Sequence, residues 1–218
     1  MHRERLKANG IFLDLDGTIV DSKGAYIEAA KIAFESLEQK LPSENVALEI
    51  PRRLEKGQTI NDLVNLDTKK FLRAYFHAYY LVTPRKTKLF PKVLGTLQFL
   101  SQKAKLALIT MRYVSKQEIR KELGYFGVSE YFTYIVTALD TVKPKPSPQA
   151  LIECVKALDL NICECIIAGD SINDVRAGKA AGAKTVAVLS GIFSCNELAR
   201  EAPDLILPDL TKLPNYLE

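Results

Sequence analysis

The chain has 218 residues, of which 47% are hydrophobic and 26% charged, and its formal net charge is +4. This size allows either one large domain or a core with a smaller inserted domain. The basic residues are scattered rather than grouped in one stripe, and no apolar segment reaches the ~18 residues that a membrane-spanning helix needs. We therefore expect a cytoplasmic protein with no nucleic-acid and no membrane partner, either a monomer or a homodimer.

Six short apolar runs recur along the chain, each followed by a loop residue and a helix-like stretch. They lie at 10–14, 105–110, 131–137, 163–170, 184–190 and 204–209. Continuous apolar runs with β-branched residues, separated by helical segments, are typical of parallel strands covered on both faces. The pattern predicts an α/β fold with a doubly wound parallel sheet.

One segment, residues 21–88, interrupts this alternation because it contains no comparable strand. Residues 25–39 and 68–82 instead carry apolar side chains at helical spacing, which indicates amphipathic helices. We expect residues 1–20 and 89–218 to form the α/β core, and residues 21–88 to form an inserted, all-helical cap. Linkers at both ends of this insertion would permit a hinged lid.

Polar residues follow four of the predicted strands. They are Asp14 and Asp16, then Thr110, then Lys143 a few residues beyond its strand, and finally Asp170 with Asp174. Because ligands of open α/β sheets bind outside the carboxyl ends of the strands, these residues are expected to form one site.

Crowded carboxylates repel one another unless a cation lies between them. Mg²⁺ prefers hard oxygen ligands, and the side chains of Asp14 and Asp170 with the main-chain carbonyl of Asp16 would supply three. Thr110 offers a hydroxyl donor and Lys143 a positive charge, both suited to phosphate oxygens. A carboxylate nucleophile, a second acid, a metal ion and a lysine are the components of phosphoryl transfer through an aspartyl phosphate.

These residues resemble the four motifs of the haloacid dehalogenase superfamily. The first motif corresponds to Asp14-Leu15-Asp16-Gly17-Thr18 and the second to Thr110. The third corresponds to Lys143-Pro144-Lys145-Pro146-Ser147-Pro148, and the fourth to Gly169-Asp170-Ser171-Ile172-Asn173-Asp174. The motifs stand in family order, and the resemblance covers about residues 10–190.

The resemblance implies a role for each motif residue. Asp14 would be the nucleophile and a Mg²⁺ ligand, and Asp16 the general acid that later activates water. Thr110 would bind the transferring phosphoryl group, and Lys143 would pair with Asp14 and the phosphate. Asp170 would bind Mg²⁺ with support from Asp174, and the cap would select the substrate.

Three positions have alternative interpretations. Lys143 is preferred over Lys145 because Lys143-Pro144-Lys145-Pro146 matches the Lys-Pro-x-Pro pattern of the family. Arg112 either binds the substrate phosphate or pairs with a nearby acid. Asp174 either supports the metal site or caps the helix that follows.

The resemblance implies a magnesium-dependent phosphatase for a small phosphorylated metabolite, similar to phosphoglycolate phosphatases. A β-phosphoglucomutase-like phosphoryl transferase would share the same core residues, and a non-catalytic interaction module is an alternative from another class. Two segments depart from the pattern of many phosphoglycolate phosphatases: Thr110-Met111-Arg112 replaces Thr-Asn-Lys, and Pro91-Lys92-Val93 replaces Pro-Gly-Val. These departures leave the substrate open.

Overall fold

A computed structural model describes residues 5–64 and 67–218. Residues 1–4 of the predicted core and residues 65–66 of the predicted cap lie outside the described residues. The chain divides into two compact units, one made of Met1–Val20 and Leu89–Glu218 and the other of Asp21–Lys88. None of the helices in the described ranges is long and apolar enough to cross a membrane.

The larger unit is built on a parallel six-stranded sheet with the strand order β5-β4-β1-β6-β7-β8. Its strands are β1 (Gly10–Leu13), β4 (Lys105–Ile109), β5 (Phe132–Val136), β6 (Cys165–Gly169), β7 (Lys184–Val188) and β8 (Leu205–Leu207). They coincide with the six predicted apolar runs. Two shorter strands, β2 (Val20–Asp21) and β3 (Lys88–Leu89), form a separate two-stranded sheet.

Helices cover both faces of the six-stranded sheet. The α-helices within the described residues are α1 (Lys23–Ser36), α2 (Glu44–Glu55), α3 (Thr68–Lys86), α4 (Val93–Lys103), α5 (Lys116–Tyr125), α6 (Gln149–Leu158), α7 (Ile172–Ala181) and α8 (Cys195–Arg200). Short 3-10 helices span Ser129–Tyr131, Ile162–Glu164 and Leu210–Tyr216.

Successive residues of β1 point to opposite faces, as the pleat of a strand requires. Ile11 and Leu13 pack in one apolar cluster with residues of α4 and α5. Phe12 packs in another cluster with residues of α6 and α7. The central strand is thus buried on both faces, which explains its unbroken apolar sequence and confirms the predicted doubly wound α/β fold.

The smaller unit is helical and has its own core. α1 and α3 pack against each other. α3 contains the predicted segment 68–82, and α1 covers the predicted segment 25–39 only as far as Ser36; α2 was not among the predicted helices. Aromatic rings fill much of the space between them: Phe34 lies edge-on to Phe71, and Tyr26 stacks on Tyr79 with ring centroids 5.4 Å apart. Burial of such rings is a large source of stability for a unit of this size.

One departure from the family pattern falls at a backbone position that favours glycine. Lys92, which precedes α4, has φ 65° and lies in the left-handed region. A side chain at such a position costs about 1–3 kcal/mol. The Gly of the Pro-Gly-Val pattern would avoid this cost. The lysine at this position therefore adds backbone strain at the start of α4.

Candidate active site

The site begins where β1 ends. The backbone amide of Asp14 continues the ladder by donating to the carbonyl of Ala168 at 3.0 Å. Leu15 is fully buried in the apolar core, so Asp14 and Asp16 on either side of it point away from that core. Gly17 then turns the chain with φ 75°, a conformation that glycine adopts without steric cost.

Lys145 is the lysine that lies among the carboxylates. Its Nζ atom donates to Oδ1 of Asp14 and Oδ1 of Asp174, each at 2.6 Å, and to the carbonyl of Ile109 at 3.0 Å. Lys145 is only 4% exposed. Three acceptors thus match the three hydrogens of the ammonium group.

The predicted pairing of Lys143 with Asp14 is wrong. Lys143 is exposed, and its backbone amide donates to the side chain of Gln149. The sequence Lys-Pro-Lys-Pro-Ser-Pro fits the Lys-Pro-x-Pro pattern in two registers, beginning at Lys143 or at Lys145. The second register, Lys145-Pro146-Ser147-Pro148, was the signal available in the sequence, and the fold selects it by turning Lys145 inward.

Asp170 and Asp174 come from the end of β6 and the start of α7. Ser171 is the N-cap of α7, and Asp174 completes a capping box by accepting from the Ser171 amide through Oδ2 at 3.1 Å. Its other oxygen, Oδ1, accepts from Lys145. Asp174 therefore helps to cap the helix and also belongs to the carboxylate cluster, so its two interpretations are compatible.

The side chains of Asp14, Asp170 and Asp174 form a buried cluster in which one oxygen of each lies within 4.8 Å of the others. Oxygen donors at this spacing suit a hard divalent cation. The side chain of Asp16 is directed elsewhere, toward Arg112. Ligation by the main-chain carbonyl of Asp16 stays a prediction.

The charges of the cluster favour a further cation. Burial raises the pKa of Asp14, the charge of Lys145 opposes this effect, and the nearby carboxylates of Asp174 and Asp16 add to it, for a pKa of about 8. Burial acts to lower the pKa of Lys145, but the charges of Asp14 and Asp174 raise it, and Lys145 stays positively charged. The three carboxylates of the cluster are accompanied by one ammonium group, which binds two of them. A bound cation would therefore stabilise the ionised form of Asp14.

Thr110 and Arg112 lie just beyond the end of β4. The amide of Thr110 donates to the carbonyl of Val136, and its buried hydroxyl accepts from the amide of Arg112 at 3.3 Å. Phosphoryl binding by Thr110 stays a prediction. The guanidinium of Arg112 binds Asp16 and Glu122, so the structure shows the pairing of Arg112 with acids.

Ser190 and Gly191, which follow β7, also belong to the site, and neither was predicted. The hydroxyl of Ser190 donates to the carbonyl of Gly17 at 2.6 Å. A Cβ atom added to Gly191 would lie 1.6 Å from Oδ2 of Asp170. Asp170 thus occupies space that only a glycine at 191 leaves open. No spacing motif links these positions, and the contact depends on β7 lying beside β6.

Two arginines in the smaller unit pair with acids of the same unit. Arg52 and Arg53 both bind Glu49 of α2, and Arg53 also binds Asp62 at 2.5 Å. These contacts make the stretch a charged surface of α2.

The fold and the site together define a class of protein: a doubly wound α/β enzyme whose carboxylates and lysine converge at the carboxyl ends of β1, β4 and β6. The sequence model of the haloacid dehalogenase-like hydrolases matches residues 11–188. The chain belongs to this family, as the motif resemblance indicated, and is a hydrolase.

Several known proteins are similar to this chain. Phosphoglycolate phosphatase 1 of Pseudomonas aeruginosa is 28% identical over 93% of this chain and 77% of its own length. A phosphoglycolate phosphatase of Yersinia pestis is 29% identical over 94% of this chain and 90% of its own. A solved haloacid dehalogenase-like family hydrolase from Streptococcus pneumoniae has a TM-score of 0.80 at 20% identity, covering 96% of this chain and 98% of that one.

Proposed function

We propose that this protein is a magnesium-dependent phosphatase that hydrolyses a small phosphorylated metabolite in the cytoplasm through an aspartyl phosphate on Asp14. The observation that carries the proposal is the position of Lys145, which is buried and binds both Asp14 and Asp174. A lysine fixed in this way can offset negative charge when a phosphate approaches the carboxylate of Asp14. Membership of a hydrolase family supports the same conclusion.

The residues divide the reaction into two steps. In the first, an oxygen of Asp14 bonds to phosphorus, the bond to the leaving oxygen breaks, and Asp16 gives that oxygen a proton. In the second, water attacks phosphorus, Asp16 takes its proton, and the bond to Asp14 breaks to release phosphate. Thr110 and Lys145, which replaces Lys143 in this role, would hold the phosphoryl oxygens.

Asp14, Asp170 and Asp174 would hold Mg²⁺, with the Asp16 carbonyl as an additional ligand. When bound, the ion supplies positive charge that stabilises the negative charge on the transferring phosphoryl group. The three carboxylates fit this ion because their donors are oxygen atoms that are buried together.

The relatives and the inserted unit support a proposal for the substrate class. Relatives named phosphoglycolate phosphatases align over more than nine-tenths of this chain. We infer a phosphoglycolate-like or sugar phosphate substrate, selected by residues 21–88 acting as a cap. The changes at Arg112 and Lys92 distinguish this chain from many phosphoglycolate phosphatases.

The function is tested by assaying the purified protein against a panel of phosphate esters with Mg²⁺ or with a chelator. The panel contains 4-nitrophenyl phosphate, 2-phosphoglycolate, several sugar phosphates and inorganic pyrophosphate. We expect release of inorganic phosphate that requires Mg²⁺. Conversion of a sugar phosphate to an isomer without phosphate release would favour a mutase, and no turnover of any ester would reject the proposal.

Gly191→Ala should weaken the use of Mg²⁺. The added methyl group would displace Asp170, with which its Cβ overlaps, and changes around metal ligands typically reduce metal affinity or activity about 10- to 100-fold. The measurement is the Mg²⁺ concentration that gives half-maximal phosphatase activity. Gly95→Ala is the matched control, because a Cβ atom at Gly95 in α4 meets nothing within 4 Å. Equal Mg²⁺ dependence of the two variants would contradict the placement of Asp170.

A further inference from the structure

Arg112 is a buried arginine held between two carboxylates. Its Nε donates to Oδ2 of Asp16 at 2.7 Å and its Nη2 to Oδ1 of Asp16 at 2.6 Å. Its Nη1 donates to Oε2 of Glu122 at 2.5 Å. The side chain of Arg112 is 4% exposed, and those of Asp16 and Glu122 are 14% and 15% exposed. Water therefore has little access to these charges.

The two bonds to Asp16 fix its orientation. A guanidinium donates two parallel N–H groups to the two oxygens of a carboxylate, so rotation of that carboxylate would break at least one bond. A lysine in the same place would be a point charge and would leave the rotation free. Arg112 thus sets the plane of the Asp16 carboxylate as well as compensating its charge.

Glu122 fixes the opposite side of the guanidinium. It lies on α5, whose first turn is closed by a capping box between the N-cap Ser115 and Glu118. α5 packs on the sheet through Ile119 and Leu123. Glu122 and Arg112 therefore connect Asp16 to a rigid helix. Such support is what a catalytic group needs to stay within reach of the reacting atoms.

We propose that Arg112 is a positioning residue that holds Asp16 in the orientation from which it exchanges protons with the leaving oxygen and with water, and that Glu122 holds Arg112. This inference rests on the proposed phosphatase function. Arg112 acts through Asp16 and does not contribute to binding of the substrate phosphate. This role explains why arginine stands here in place of the lysine of the Thr-Asn-Lys pattern. Only arginine supplies two parallel N–H groups to one carboxylate.

The test compares Arg112→Lys and Glu122→Gln with a control variant, Arg120→Lys. Arg120 is exposed and lies on α5, the helix that carries Glu122. Arg112→Lys keeps the positive charge between the two acids, so the fold is expected to be retained. We expect kcat to fall about tenfold or more for Arg112→Lys, because small misplacements of a catalytic group are costly. Glu122→Gln should show a smaller loss in the same direction, and Arg120→Lys should match the wild type.

Two further readouts separate positioning from substrate binding. KM and the inhibition constant of inorganic phosphate should stay within about twofold of the wild type. In Arg112→Lys, kcat/KM should fall more for an alkyl phosphate than for 4-nitrophenyl phosphate, because nitrophenolate leaves without a proton. A rise in KM and in the phosphate inhibition constant at constant kcat would overturn the inference in favour of substrate binding. Unchanged kinetics, or an equal loss on both esters, would also overturn it.

The failures of the two proposals are distinguishable. If the wild-type protein turns over no phosphate ester, the phosphatase proposal fails and the role of Arg112 fails with it. If the wild type is active and Arg112→Lys is equally active, only the role of Arg112 is rejected.

Discussion

Asp14→Asn is expected to reduce phosphate release from 4-nitrophenyl phosphate by about 10⁴-fold or more, because an amide cannot act as the nucleophile. The substitution preserves the shape of the side chain, and its oxygen can still accept from Lys145. It also removes one of three crowded carboxylates. The melting temperature without metal should therefore stay the same or rise, and stabilisation by Mg²⁺ should weaken.

Melting curves with and without Mg²⁺ provide the control for this result. A variant that is folded and inactive locates the defect in the chemistry, whereas an unfolded variant does not. Retention of wild-type activity by folded Asp14→Asn would exclude Asp14 as the nucleophile.

Lys145→Met should abolish most activity and lower stability, whereas Lys143→Met should do neither. Lys145 binds two buried carboxylates, and removing one partner of a buried ion pair costs about 3–5 kcal/mol. Loss of its charge near the phosphate is expected to lower kcat about 10²- to 10³-fold. Lys143 is exposed, and substitutions at such positions usually change the free energy of unfolding by no more than about 0.5 kcal/mol.

The two lysines form a matched pair because they lie in one loop, and each precedes a proline. Chemical denaturation measures their stabilities, and Mg²⁺ titration shows whether a cation partly replaces Lys145 among the carboxylates. If Lys143→Met lost activity and Lys145→Met did not, the first register of the Lys-Pro-x-Pro pattern would be the functional one.

The sheet could be predicted because its strands are buried on both faces. The run Gly10–Leu13 packs apolar side chains on either side of the sheet, so its sequence is continuously apolar. The end of such a run marks the end of the strand. The sequence therefore predicted that Asp14 and Asp170 lie at the carboxyl ends of their strands. Helix α2 was not predicted, because its sequence contains Pro51 and several charged residues, and a proline inside a segment is usually a sign against a helix.

Other parts of the site depend on contacts that no local pattern encodes. Lys143 and Lys145 share one proline-rich sequence, and only the folded loop shows which of them is buried. The pairing of Arg112 with Asp16 requires two neighbouring strands in register, and its contact with Glu122 requires α5 to return beside them. The glycine at 191 is required only because β7 follows β6 in the sheet.

The central claim, transfer of a phosphoryl group to Asp14, is tested most directly by trapping the intermediate. Asp16→Asn should slow the attack of water, because it removes the base, and let the aspartyl phosphate accumulate from 4-nitrophenyl phosphate and Mg²⁺. After an acid quench and digestion with trypsin, mass spectrometry of the peptide covering residues 8–23 should show one added phosphoryl group located on Asp14. The modification should be absent when Asp14→Asn is added. Release of nitrophenolate with no modified peptide, or modification of a different residue, would contradict the account.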